Sequence, residues 1–477
     1  MKEMNLKNQY KLFYFGILIA GMIACLILAA GGSLVWSDEA FSLGMIRLGY
    51  REIWNLPSVD VHPPLYYLYL KTFTAIFGES VFTAKLASIL PYLFILAFGG
   101  RKLRYLFDEA TGILFMVLFL CFTPMLGFAV EIRMYSLGAA FVFANAVYAY
   151  LCLKEGGRSS NWLLLSLFSV EAAYTHYYAL AAAAVTDLLL LAAICCKKPE
   201  NIRKFILAVA LIGILYFPWL RNFMGQMSYK IENEFRIGRI TVRSLISYAT
   251  SLFNVAGLRF LSVPLAVTYL ILFIQALKKK DIHLTVICIL TVPFGTFLIG
   301  MILSVLIRPV FVFRYIIPAI SLIPIFTALT LRGSFRRVDG KVLFAVMLVC
   351  GLIHYGGCVK GEYRKVEHPM DGQWVAKHEE CDAWLVLTSD THASTVLAYY
   401  EREKTIYTNH PESGEANPFP NVYLAERFEA KDRIALMLET WAEIPEKILK
   451  DYDVESREWV EDGDERKIGV YVMKRKS

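Results

Sequence analysis

The sequence predicts an α-helical polytopic membrane protein of about eleven spans, N-terminus inside and C-terminus outside, carrying a small C-terminal extracytoplasmic α/β domain. Three observations predict it. Apolar runs of bilayer-spanning length recur through the first three quarters of the chain. The 477 residues are 57% hydrophobic and 14% aromatic, with a mean hydropathy of +0.48, more apolar surface than a soluble domain needs. After Cys358 the composition turns abruptly charged. The net charge of +7 is no nucleic-acid signal, because the basic residues gather in short loops between the runs. Nine cysteines, most of them inside apolar runs, show neither metal-ligand spacing nor a disulfide framework.

The first run, Lys11 to Gly32, ends in the small residues Ala29-Ala30-Gly31, but it is nearer span length than a signal-peptide core. Further runs start near Ala84, Gly112, Tyr135, Trp162, Ala179, Phe205, Ser262, His283, Tyr315 and Val342. Basic clusters at Arg101-Lys102, Lys154 with Arg158, Lys197-Lys198, Lys278-Lys279-Lys280 and Arg332 with Arg336-Arg337 fall in every second loop. Placing these inside puts the loops around Asp38, Glu131, Tyr177, Arg221 and Arg308 outside. The stretch from Pro63 to Phe77 would invert this order if it crossed the membrane. It therefore reads as a helix in the outer interface, with Tyr66, Tyr67 and Tyr69 at headgroup level. The basic loop from Arg221 to Arg259 stays outside as an exception. Residues 1–359 form the expected membrane domain, with the first outer loop at about 33–83, and residues 360–477 the soluble domain. In the latter, Ala383 to Leu387, Lys404 to Tyr407, Val422 to Leu424, Ile434 to Leu438 and Ile468 to Met473 read as strands.

In this topology the unusual polar residues collect on one face: Asp38, Glu39, Asp60 and His62 in the first outer loop, Glu131, Arg133 and Tyr135 in the next, His176 and Tyr177 after that, then Arg308, Arg314 and Tyr315. Asp38-Glu39 alone is also what a solvated helix start looks like, and His176 among tyrosines resembles an aromatic belt. Carboxylates and cations recurring in successive outer loops point instead to a polar pocket, since charge at membrane depth persists when paired or solvated. Such a pocket suits transfer of a sugar from a lipid phosphate. A carboxylate such as Asp38 can take the acceptor proton. Arg133 and Arg314 can hold the departing phosphate. Glu39, Glu131 and His62 can bind the sugar or hold a hard divalent cation, with Asp38 and Glu131 as the candidate metal ligands.

At these residues the chain resembles the polyprenyl-phosphate-sugar-dependent glycosyltransferases of GT-C fold, in particular the bacterial branch of glycosyltransferase family 39, the protein O-mannosyltransferase and aminoarabinose transferase-like group. The resemblance is carried by Trp36-Ser37-Asp38-Glu39-Ala40, Asp60-Val61-His62-Pro63-Pro64-Leu65-Tyr66-Tyr67, Glu131-Ile132-Arg133-Met134-Tyr135, Tyr174-Thr175-His176-Tyr177 and Phe313-Arg314-Tyr315-Ile316-Ile317-Pro318, in order, over about residues 10–330. It implies that Asp38 is the catalytic aspartate with Glu39 beside it, that Glu131 and Arg133 are the acidic residue and arginine of the second outer loop, and that Arg314 contacts the lipid phosphate. A divalent metal ion is the one cofactor it allows for. The β-trefoil domain of eukaryotic O-mannosyltransferases is missing, which leaves the acceptor open.

The resulting expectation is a plasma-membrane glycosyltransferase that takes a sugar from a polyprenyl-phosphate donor and passes it to an envelope acceptor on the outer face, with inversion. His62, Glu131, Tyr135, His176, Tyr177 and Tyr315 would line the sugar or acceptor site. The alternative is a transporter or flippase of a lipid-linked or anionic solute. That reading calls for internal symmetry and mid-depth polar residues, which the pattern above does not supply. A third reading makes the outer domain a sensor or scaffold.

Overall fold

The computed structural model of the chain describes residues 2–476 apart from 33, 56–61, 156–157, 233–239, 281, 308, 336, 390 and 410–417. Asp60, Arg308 and Arg336 lie outside the described residues. Along the chain, α1 (Lys2–Gly31) is followed by three short helices, α2 (Ser37–Met45), α3 (Tyr50–Asn55) and α4 (Leu65–Phe77). Then come α5 (Val81–Leu106), α6 (Glu109–Leu120), α7 (Thr123–Leu126), α8 (Tyr135–Lys154), α9 (Ser159–Thr175), α10 (Tyr177–Lys197) and α11 (Ile202–Glu232). The helical part closes with α12 (Val242–Ser251), α13 (Arg259–Leu277), α14 (His283–Leu306), α15 (Ile317–Ile320), α16 (Ile323–Ser334) and α17 (Val338–Glu362).

Among the described residues, eight helices are long and apolar enough to cross a membrane, and two bent helix pairs raise this to ten. The 17-residue α9 is the remaining apolar run of the expected set. This is a multi-pass membrane protein. α4 has 13 residues, about 20 Å at 1.5 Å per residue, too short for a 30 Å core.

The bends have visible causes. Pro124 opens α7 and Pro318 and Pro324 open α15 and α16, first-turn positions where the missing N–H costs no helix hydrogen bond and the fixed φ favours a new helix start. The chain turns by 64° between Glu109–Leu120 and Thr123–Ala129, just before Glu131. It turns by 47° between Phe313–Ile320, whose first turn holds Arg314 and Tyr315, and Ile323–Ser334. α8 is the central span: 78% of its apolar window is inside the fold, against 22% for α1, α13 and α17. Its small residues Gly138, Ala139, Ala140 and Ala144 let neighbours approach closely.

The chain divides into two compact units. One comprises Met1–Gly31, Val61–Tyr66 and Lys85–Glu362, the other Gly32–Asp60, Tyr67–Ala84 and Tyr363–Ser477. The second unit therefore joins most of residues 33–83 to the C-terminal domain. After α18 (Gly372–Ala376) that domain runs β1 (Ala383–Val386), α19 (His392–Tyr400), β2 (Thr405–Thr408), β3 (Val422–Leu424), β4 (Arg433–Glu439), α20 (Glu446–Asp451), β5 (Tyr452–Glu461) and β6 (Lys467–Arg475). The sheet order is β3-β2-β1-β4-β6-β5. β3, β2, β1 and β4 are parallel, while β6 runs antiparallel to β4 and β5. β1 is buried at every position, as a central parallel strand must be. One face forms a core of Leu385, Tyr407, Leu436, Tyr452, Tyr471 and Met473 with their neighbours. Five of these strands match the expected runs. β5 was not expected: it is an edge strand with mostly exposed, charged residues and a bulge between Val454 and Ser456, so it lacks the apolar alternation that marks a strand.

Candidate active site

The expected site residues fall into two groups, one in each unit. In the membrane unit the organising residue is His176, the single extended residue between α9 and α10 (φ −161°, ψ 138°). Its own N–H donates to the Ala172 carbonyl at 3.1 Å and ends α9. Its Nδ1 accepts the Tyr178 N–H at 3.2 Å and caps α10. A ring nitrogen that accepts is unprotonated, so the imidazole is neutral with its proton on Nε2.

Around this buried ring stand His62 at 5.6 Å, Tyr315 at 5.1 Å, Tyr135 at 5.9 Å and Tyr178 at 5.9 Å between centroids. His62 also meets Tyr315 edge-on at 6.3 Å, and Tyr178 lies 5.4 Å from Tyr315. Four separate loops thus converge on one aromatic cluster. Tyr135, the first residue of α8, is fully buried, and among the described residues its hydroxyl has no hydrogen-bond partner. Arg314, Arg133 and Glu131 all lie within electrostatic reach of that hydroxyl. Arg133 is itself buried, a place where a guanidinium calls for an anion. The backbone that carries it is pinned: the Glu131 carbonyl accepts the Ser88 hydroxyl at 2.6 Å and the Arg133 N–H at 2.7 Å.

Tyr177 belongs to a neighbouring network. Its hydroxyl donates to Gln226 Oε1 and accepts the Trp219 indole N–H at 3.3 Å, while Gln226 Nε2 donates to the His62 carbonyl at 3.3 Å. Tyr177 thereby braces the His62 backbone through α11.

In the second unit Asp38 and Glu39 lie in the first turn of α2, where successive residues point about 100° apart. Their environments differ accordingly. Glu39 is buried and its Oε2 accepts the Trp36 N–H at 3.4 Å, as the third residue of a capped helix does. Asp38 is half-buried, and its carbonyl accepts the Ser42 hydroxyl at 3.0 Å. Among the described residues, no three His, Cys, Asp or Glu side chains gather into a metal-binding group.

One polar group escaped the sequence reading. Asp187, the one acidic residue in α10, accepts from Asn145 Nδ2 of α8 at 3.3 Å and from the Ser169 hydroxyl of α9 at 3.1 Å, and Asn145 Nδ2 donates to Ser169 Oγ at 2.9 Å. The lone carboxylate in an otherwise apolar segment was the available signal. A cavity of about 310 Å³ in the membrane unit, lined by Leu103, Tyr150, Leu190, Lys197, Val292 and Ile325 among others, includes none of the expected site residues.

No family model and no curated protein sequence matches the chain. Solved structures do. ArnT from Cupriavidus metallidurans in the apo state aligns with a TM-score of 0.64 at 11% identity, covering 95% of this chain and 97% of that one. The same protein bound to undecaprenyl phosphate aligns with a TM-score of 0.64 at 12% identity and the same coverage. The fold is ArnT-like, of GT-C type. An Archaeoglobus fulgidus oligosaccharyltransferase in complex with Zn and sulfate aligns at a TM-score of 0.43 and 10% identity, over 88% of this chain and 67% of that one, too weakly to support any inference. The ArnT-like match runs through both units, so it includes the C-terminal domain as well as the spans.

Proposed function

We propose that the protein is a membrane glycosyltransferase that moves a sugar from a polyprenyl-phosphate-linked donor to an acceptor on the outer face of the plasma membrane, with inversion. The observation that carries the reading is the ArnT-like fold over 95% of the chain, shared with a structure bound to undecaprenyl phosphate. Fold alone does not fix chemistry, and the site residues supply the rest of the case. Asp38 is the acceptor base. It is half-buried on a short helix, while its neighbour Glu39 is committed to capping. Arg133 and Arg314 hold the phosphate as negative charge collects on the leaving group. The Tyr135 hydroxyl is directed at the bound donor. His62, His176 and Tyr315 form a preorganised aromatic and imidazole wall against which a sugar ring stacks. Glu131 hydrogen-bonds the sugar. A divalent metal ion, where one is bound, would be held by Glu131 or Asp38.

The base abstracts the acceptor proton as the acceptor oxygen attacks the anomeric carbon. The bond from that carbon to the phosphate oxygen breaks, and the arginines take up the charge. The test uses purified full-length protein, a panel of short-chain polyprenyl-phosphate sugars, and mass spectrometry of released polyprenyl phosphate. Wild-type protein is expected to release it by transfer, or slowly to water, and Asp38→Asn to be about 10²–10⁴-fold slower with unchanged thermal stability. Wild-type turnover by Asp38→Asn would remove the base assignment. Neither binding nor release of any donor would move the reading to transport.

A further inference from the structure

We propose that His392 and Asp464 of the C-terminal domain are positioning residues for the helix that carries Asp38, which makes the α/β domain part of the catalytic apparatus; this rests on the reading of Asp38 as base. α2 has no side-chain N-cap of its own. Its N-cap residue is Trp36, which offers no side-chain acceptor to the first-turn N–H groups. The Ser37 N–H is instead met by Asp464 Oδ2 at 3.4 Å, a carboxylate from the β5–β6 turn. The Ser37 hydroxyl lies 2.7 Å from His392 Nδ1, at the start of α19, and the same Nδ1 lies 3.0 Å from Asp464 Oδ2.

The arrangement looks like a nucleophilic triad and is not one. In a serine–histidine–aspartate relay the serine and the carboxylate use opposite ring nitrogens. Here both oxygens face Nδ1. An acceptor Nδ1 would set a lone pair against the carboxylate, so Nδ1 carries the proton and shares it between Asp464 and Ser37. Burial pushes the Asp464 carboxyl up, but His392, Arg466 and the Ser37 N–H outweigh it and hold it below the usual range, so the brace is anionic. The cluster ties backbone and side chain of Ser37 together and leaves no activated hydroxyl.

The rest of α2 is gripped with equal closeness. Gly463, in the same turn as Asp464, lies so near the Val35 carbonyl that any Cβ would collide with backbone. Gly44 faces the Phe419 ring, where a Cβ would come within 2.6 Å. Beyond the helix end, Arg47 donates to the Tyr399 carbonyl at 3.1 Å and stacks over the Tyr399 ring at 4.8 Å. Glu79 joins Arg47 at 3.4 Å and Arg402 at 3.2 Å. Both ends of α2 are thus fixed by the C-terminal domain, and Asp38 is one residue, about 1.5 Å of helix rise, from the brace. A misplacement of about 1 Å at a catalytic group can cost 10²-fold.

The experiment compares His392→Ala, His392→Asn, Asp38→Asn and the double variant His392→Ala/Asp38→Asn in the full-length protein, with the donor panel above. His392→Ala is expected to lower kcat about 10- to 100-fold with the donor KM nearly unchanged. His392→Asn, whose amide N–H stands where Nδ1–H stood, is expected to recover most of it. The double variant is expected to be no slower than Asp38→Asn, because the brace acts through that residue. If Asp38→Asn is slow and His392→Ala is not, or if the two losses multiply, the positioning proposal falls and the base assignment survives. If Asp38→Asn turns over like wild type, the base assignment falls first. Hydrogen exchange needs no donor: His392→Ala should speed exchange of the amides around Ser37–Phe41 by about tenfold or more, and unchanged protection there would overturn the proposal.

Discussion

Two carboxylates adjacent in sequence have been separated by one helical step. Glu39 turns back onto the Trp36 N–H and is buried, whereas Asp38 keeps partial exposure. From sequence alone, Asp-Glu is equally a helix start and a catalytic pair; the structure gives Glu39 the helix-start role, and the catalytic role of Asp38 is the proposal made above. Glu39→Gln retains the capping acceptor and is expected to leave activity and melting temperature near wild type. Glu39→Ala should cost about 0.5–1 kcal/mol in thermal unfolding; a large rate loss in Glu39→Gln at unchanged stability would instead give Glu39 a chemical role. Tyr135 permits a cleaner separation of stability from function. A buried hydroxyl without a protein partner contributes nothing to the fold and costs desolvation. Tyr135→Phe is therefore expected to melt at or slightly above the wild-type temperature while weakening donor binding, as measured by the apparent Kd for a polyprenyl-phosphate sugar. A lowered melting temperature would show that the hydroxyl works for the fold.

At the scale of helices and strands, legibility followed apolar periodicity. The spans announced themselves through length, and the proline-marked breaks at Pro124, Pro318 and Pro324 fall beside the Glu131 and Arg314 loops. The convergence of His62, Tyr135, His176 and Tyr315 was legible only as membership of one face. What the sequence could not convey was that His176 caps a helix, because that depends on a one-residue break between α9 and α10 rather than on composition. β5 was illegible because its stability comes from pairing with β6, not from its own side chains. The Asp187–Asn145–Ser169 knot lies near the middle of α10, α8 and α9 and holds those three helices in register. Asp187→Asn keeps a hydrogen-bonding group and should be tolerated. Asp187→Leu should destabilise the protein in detergent by about 0.5–2 kcal/mol. Loss of activity in Asp187→Asn at full stability would point to a protonation role at mid-depth.

For the molecule as a whole, the informative feature is that the second unit is assembled from three separate stretches, Gly32–Asp60, Tyr67–Ala84 and Tyr363–Ser477. Composition marks a boundary near residue 360, and on that boundary the soluble domain looks removable. A truncation ending there strips the partners from α2, whose Ala40, Leu43 and Met45 are completely buried in the full chain. Membrane-extracted protein lacking residues 363–477 is expected to show protease cleavage within 34–55, where the protein with the domain resists. Resistance equal to wild type would show that the segment carrying α2 and α3 folds without the domain.

That assembly also sets an order in time. Ser37 emerges early in synthesis, yet Asp464, its hydrogen-bond partner, lies 427 residues later. At about 5–20 residues per second the interval is roughly twenty to ninety seconds. Throughout that interval the Asp38 helix lacks half of its supports, and the long-range contacts that complete it form last. A chain that stops short of Asp464 never acquires that support, so its α2 is left without the carboxylate that meets the Ser37 N–H.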